Sequence, residues 1–200
     1  MPHPRLVGNH ITRVYNQNTM SLFKKKTFYP PVVAETTIGN AGTDLMFILN
    51  KKFGYGEAED TYQEAWSEYM KVQYALTLMS IAAKTPSMSE DFAYFLENAM
   101  KARIEESVGV DILVEEVIAD SWYKDVSDYR AIGLDKIPGK LYSKLLPLIP
   151  FELNEVQKTA LLKYLEQRIP FIYSSLAKLK FGLYMTRAES DEFRANLKKR

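Results

Sequence analysis

DTYQEAWSEYMKVQYALTLMSIAAK, residues 60–84, is the stretch whose reading decides the fold. Wound as an α-helix, it brings Tyr62, Ala65, Trp66, Tyr69, Val72, Leu76, Met79 and Ala83 to one face and sets Glu64, Glu68 and Lys71 opposite. The acidic GEAED run before it suits the positive end of a helix, and Thr85-Pro86 stops it. Its second half is almost wholly apolar, so the helix is expected to enter the core as it proceeds. The run Val72 to Ala83, between Lys71 and Lys84, is 12 residues long, short of the roughly 18–20 apolar residues a membrane span requires.

The same periodicity continues on the C-terminal side. Ser87 to Glu90 has the form of a capping box for a helix that buries Phe92, Phe95, Leu96 and Ala99 and closes at Gly109. A helix over about 111–123 follows, with Ile112, Leu113, Val117 and Ile118 inward and Glu115, Glu116 and Asp120 outward; residues 124–138 read as irregular, with one helical turn near Tyr129. A short helix spans about 140–146. Asn154 caps another that ends at Ile169, and Pro170 is read as the first residue of a further helix turned by a sharp corner. That helix, 171–187, carries two apolar stripes, Ile172/Leu176/Leu179/Leu183 and Tyr173/Ala177/Phe181/Tyr184/Met185, and Ser190 is expected to cap a basic tail helix.

On the N-terminal side, Thr43 caps DLMFILNKKF and Gly54 ends it. Residues 1–42 lack a sustained helical period and read as a flexible or extended basic arm, with FYPPVVAETTI, 28–38, extended because paired prolines cannot sit inside a ladder. Met20 is an alternative start. The first residues lack the apolar region of a secretory signal and are poor in the Arg and Ser of an import peptide. The expected fold is all-α: a single compact bundle of about six to eight helices, 43–200, behind an extended N-terminal arm.

Net charge is +1, but it is segregated. Residues 1–34 hold five basic and no acidic side chains, and 85–135 hold four basic against twelve acidic. Residues 136–200 reverse this, with thirteen basic against six acidic. Such asymmetry either steers a charged partner or is satisfied within the fold.

Several chemistries lack their residues. The absence of cysteine removes disulfides, thiolate nucleophiles and cysteine metal sites, and fits a reducing compartment; the cytoplasm is the expected location. A carboxylate-bridged dimetal site on a bundle needs histidine beside glutamate. The chain has only His3 and His10, so Glu64/Glu68, Glu105/Glu106 and Glu115/Glu116 read as solvated helix faces. Ser-x-x-Lys occurs at Ser21/Lys24, Ser121/Lys124 and Ser175/Lys178 without the companion motifs of serine acyltransferring enzymes. Neither glycine-rich phosphate loop is present, and Gly54-Tyr-Gly56 reads as a turn.

The resulting expectation is a non-enzymatic helical interaction or assembly protein that uses protein partners or self-association and no cofactor, metal or small-molecule substrate. Tyr173, Phe181, Tyr184 and Met185 form its candidate partner surface; Lys24, Lys25, Lys26, Lys178, Lys180 and Arg187 are its candidate contacts to an anionic partner. One alternative is nucleic-acid binding, through Lys158, Lys163, Arg168, Lys178, Lys180 and Arg187 alternating with Tyr164, Phe171, Tyr173 and Phe181. The other is weak membrane-surface attachment through Leu22, Phe23 and the three lysines that follow.

Overall fold

The computed structural model describes residues 27–53, 63–108, 120–149 and 151–197. Among them lie seven α-helices and one pair of two-residue strands, an all-α bundle. The helix end and turn expected at residues 54–56, the part of the helix expected over about 111–123 that precedes Asp120, and the arm before Thr27 lie outside the described residues.

The chain enters as strand β1, Thr27–Phe28, and then forms α1, Pro30–Met46. The extended reading of 28–38 is therefore corrected: only its first residues are a strand. Tyr29 is extended, as a residue before proline must be, and Pro30 and Pro31 fill the first helical positions. A missing N–H costs nothing there, because the first amides of a helix have no internal acceptor. Thr43, expected as a cap, lies inside α1, where its hydroxyl donates to the Gly39 carbonyl at 2.9 Å. The helix continues into a π-helical segment, Phe47–Lys52.

The helix read from residues 60–84 is α2, Gln63–Lys84, and it is the axis of the bundle. It packs against α1 and against α3 (Ser89–Val108), α4 (Asp120–Ala131), α5 (Ile137–Leu145) and α6 (Glu155–Leu176). Burial runs around its circumference from Ala65 to Ile81, including Ser67, Glu68, Gln73, Thr77 and Ser80. Glu64 is exposed as expected, but Glu68 is only 4% exposed, so the solvated face assigned to it does not exist. A helix surrounded by five others has no water-facing side at its middle.

Downstream, a 3-10 turn, Pro86–Met88, precedes α3, and Ser89 donates to the Pro86 carbonyl in place of the expected capping box. α4 covers most of the stretch expected to be irregular. Trp122, Val126 and Tyr129 recur at helical spacing and are buried, while the charged residues between them mask a narrow apolar stripe. Gly133, at φ 84°, makes the bend to α5, which buries Ile137, Pro138, Leu141 and Leu145.

Asn154 caps α6 as expected, its side chain accepting from the Gln157 amide at 2.9 Å while the Gln157 side chain accepts from the Asn154 amide at 3.0 Å. The corner at Pro170 is corrected: α6 continues past it to Leu176. Pro170 and Glu166, four residues before it, are both exposed, so water can reach the carbonyl the proline leaves unbonded. The helix then stops eleven residues short of the expected Arg187. A turn leads to strand β2, Lys180–Phe181, which pairs in parallel with β1, Phe28 beside Phe181. The Lys84 ammonium at the end of α2 donates to the Leu179 carbonyl and pins this turn.

The last helix, α7, spans Arg187–Leu197. Its cap is Thr186, four residues before the expected Ser190: the Thr186 amide donates to the Glu189 carboxylate at 2.7 Å and the Glu189 amide to the Thr186 hydroxyl at 3.3 Å. The Thr186 amide and hydroxyl, both donating to the Glu189 carboxylate, hold it below its ordinary pKa, and Ser190 is buried one turn in. No helix among the described residues is long and apolar enough to cross a membrane.

Candidate interaction face

The β1–β2 pair sets the geometry of the C-terminal surface. Phe181 is buried and meets Phe92 edge to face, with ring centroids 5.6 Å apart. Past Gly182 the chain emerges, and Tyr184 stacks on Tyr29 at 3.9 Å with the rings 8° from parallel. Pro30, Pro31, Phe95, Leu183, Tyr184 and Met185 line a groove of about 160 Å³. Despite the stack Tyr184 remains 71% exposed and Met185 42%. In α7, Phe193 is 61% and Leu197 55% exposed, one helical turn apart. Of the eight exposed large apolar side chains among the described residues, four therefore fall within residues 184–197, and Val32 adjoins the prolines of the groove.

Two arginines fix α7 beside this groove. The Arg187 guanidinium lies 4.6 Å over the Tyr94 ring, Arg194 Nη1 is 3.5 Å from the Tyr94 hydroxyl, and Tyr94 packs edge to face on Phe95. Arg187 also stands 3.9 Å from Asp191. Lys178 and Lys180, on the turn and strand leading to the groove, are exposed and have no ion-pair partner among the described residues. Lys24, Lys25 and Lys26 lie outside the described residues.

The four residues expected to share one stripe are separated, because the helix that would align them ends at Leu176. Tyr184 and Met185 are on the face, Phe181 is in the core, and Tyr173 is half-buried in α6 at a different cleft. Of the rings alternating with basic residues, Phe171 is exposed, Tyr164 and Tyr173 are half-buried and Phe181 is buried. Arg168 lies 5.1 Å over the Phe171 ring but commits its charge elsewhere.

That commitment is one of two buried ionic clusters. Arg168 donates to both carboxylate oxygens of buried Asp44, at 2.6 and 3.0 Å, and Tyr69 and Gln73 from α2 approach the same carboxylate at 3.5 and 3.4 Å. Burial and the Asp44 charge push the Tyr69 hydroxyl well above its ordinary pKa, and the same causes raise Tyr164 to about 12.

The second cluster is a closed ring. Lys71 donates to Glu68 at 3.0 Å and to Asp125 at 2.8 Å; Lys144 reaches Asp125 at 2.8 Å and Glu68 at 3.4 Å; Tyr129 donates to Glu68 at 2.5 Å. Two ammoniums face two carboxylates, so the ring is neutral. Burial acts against ionised Asp125 and Lys71, but their mutual hydrogen bonds outweigh it, holding Asp125 below and Lys71 above its ordinary value. Burial and the Glu68 bond raise Tyr129. Part of the acidic middle of the chain is thus satisfied internally, Asp125 by Lys144 from the basic end.

Among the described residues no three acidic or imidazole side chains converge on a metal-sized space. Ser175 donates its hydroxyl to the Phe171 carbonyl at 2.8 Å, a helix-backbone bond, while Lys178 projects to solvent. The chain gives no match to family models, to curated proteins or to solved structures.

Proposed function

We propose that the protein is a helical interaction protein, acting without catalysis in the cytoplasm, whose contact surface is the face built by the N-terminus of α1, residues 183–185 and α7. The observation that carries this reading is the exposure of Tyr184 and Met185 on the rim of an apolar groove, with exposed Phe193 and Leu197 following on the helix that Arg187 and Arg194 tie to Tyr94. Exposed large apolar side chains are ordinary singly; grouped around a concavity they mark contact surfaces. The Tyr29–Tyr184 stack holds the rim in place before a partner arrives, which lowers the entropy cost of association.

The partner that fits is a protein segment bringing a large apolar side chain to the groove, with acidic residues alongside to meet Lys178 and Lys180. The lysines favour encounter with such a segment and the groove holds it.

Photo-crosslinking tests this. Benzoylphenylalanine at position 184 or 193 is expected to yield protein adducts in the source cells, while the same group at Val156, 78% exposed on α6, yields none. Lys178→Glu with Lys180→Glu should weaken the adducts. Equal adducts at all three positions, or none at 184 and 193, would remove the interaction face from consideration.

A further inference from the structure

A second concavity lies between α2, α4 and α6, apart from the interaction face. It holds about 510 Å³ and is lined by Met79 and Ala82, by Ser127, Arg130 and Ala131, and by Tyr173. The concavity is broad and open to solvent, with Ser127, Arg130 and Ala131 exposed and Met79, Ala82 and Tyr173 half-buried.

The decisive feature is Arg130. Five arginines fall among the described residues, and four are engaged: Arg103 with Glu35, Arg168 with Asp44, Arg187 with Tyr94 and Asp191, and Arg194 with the Tyr94 hydroxyl. Arg130 has neither a carboxylate nor a hydrogen-bond partner among the described residues. It projects from α4 one turn after Ser127, so guanidinium and hydroxyl share one wall of the cleft. None of the six lining residues carries a carboxylate, and the guanidinium is their one formal charge. Tyr173 adds a second hydroxyl donor and a ring; Met79, Ala82 and Ala131 supply an apolar floor.

We propose that this cleft binds a small anion with a flat apolar body, an aromatic phosphate or carboxylate. The guanidinium fork matches either oxyanion bidentately, and a charge-assisted bond of that kind is about twice as strong as a neutral one. The apolar floor receives the ring. Without a carboxylate or imidazole lining the cleft to deprotonate Ser127, the arrangement binds the anion and does not turn it over.

The test is titration of the purified full chain, by calorimetry, with 1-naphthyl phosphate, 1-naphthoate, neutral 1-naphthylmethanol and inorganic phosphate. Saturable binding of one or both naphthyl anions is expected, with the tighter one naming the oxyanion, and weak or no binding of the other two probes. Arg130→Gln should weaken it at least tenfold, about 1.4 kcal/mol, with only a small change in melting temperature, since Arg130 is exposed and has no carboxylate partner among the described residues. Tyr184→Glu should bind as the unaltered chain does. Failure of both anions to bind, equal binding of the neutral probe, or undiminished binding by Arg130→Gln overturns the proposal.

Discussion

Replacing Glu68 by Gln tests the central packing argument most directly. The substitution keeps shape and removes one charge from the neutral ring, leaving the Lys71 and Lys144 ammoniums facing Asp125 alone. Breaking a fully buried ion pair costs about 3–5 kcal/mol. Here the side chains of Lys71, Lys144 and Asp125 remain 16%, 34% and 26% exposed, so water screens part of the imbalance. The expected loss is correspondingly smaller, about 2–3 kcal/mol. The Tyr129 hydroxyl can still donate to the amide oxygen of the introduced glutamine, but that acceptor is neutral. With a urea slope of about 2–3 kcal/mol per molar for a chain of this size, the midpoint followed by far-UV circular dichroism should fall by roughly 1 M. Adding Lys144→Met restores neutrality, leaving Lys71 with Asp125. The double variant should therefore cost less than the two single changes together, by about 1 kcal/mol. An unchanged midpoint for Glu68→Gln, or strict additivity in the double variant, would refute the ring as a charge-balanced unit.

The pH dependence has two limbs. Asp125 sits below its ordinary value when folded, so its contribution is complete above about pH 4 and is lost as pH falls through the lowered value. Lys71 and the buried tyrosines Tyr69, Tyr74 and Tyr129 sit above theirs, so their contributions are complete below about pH 10 and are lost as pH rises further. Tyrosinate absorbance at these three should appear together with loss of helical circular dichroism; their ionisation in an intact fold would contradict their burial. At the bend before α5, Gly133→Ala places a side chain at φ 84° with its Cβ 3.1 Å from the Asp135 carboxylate. A loss of about 1 kcal/mol, or 2–4 °C in melting temperature, is expected, and an unchanged melting temperature would show that the bend relaxes freely.

The elements legible in the sequence are those whose signals are local. Thr85-Pro86 ends α2 where expected, and Asn154 starts α6 with the full capping box. Signals open to two local readings misled. A proline pair suits an extended run and the first turn of a helix equally, and only burial of Val33, Ala34 and Ala41 against the bundle selects the helix. Pro170 marks a break unless its surroundings are wet, which depends on where the helix lies. Glu68 shows a further limit. A helical wheel groups it with Glu64 and Lys71 but says nothing of what covers that group; the covering residues, Asp125, Tyr129 and Lys144, are far along the chain. Tyr184 and Met185 were legible as part of an apolar surface. Their separation from Tyr173 and Phe181 is not, because no proline or glycine marks the end of α6 at Leu176, where the helical period stops.

The two-residue β1–β2 pairing joins positions roughly 150 residues apart, a long loop whose closure must await both of its ends. During synthesis α1 to α5 can collapse around α2 while β2 is still unmade. The groove rim cannot form until Tyr184 reaches Tyr29. A chain cut short before residue 180 could carry packed helices around α2 but not the groove rim that Tyr29 and Tyr184 form.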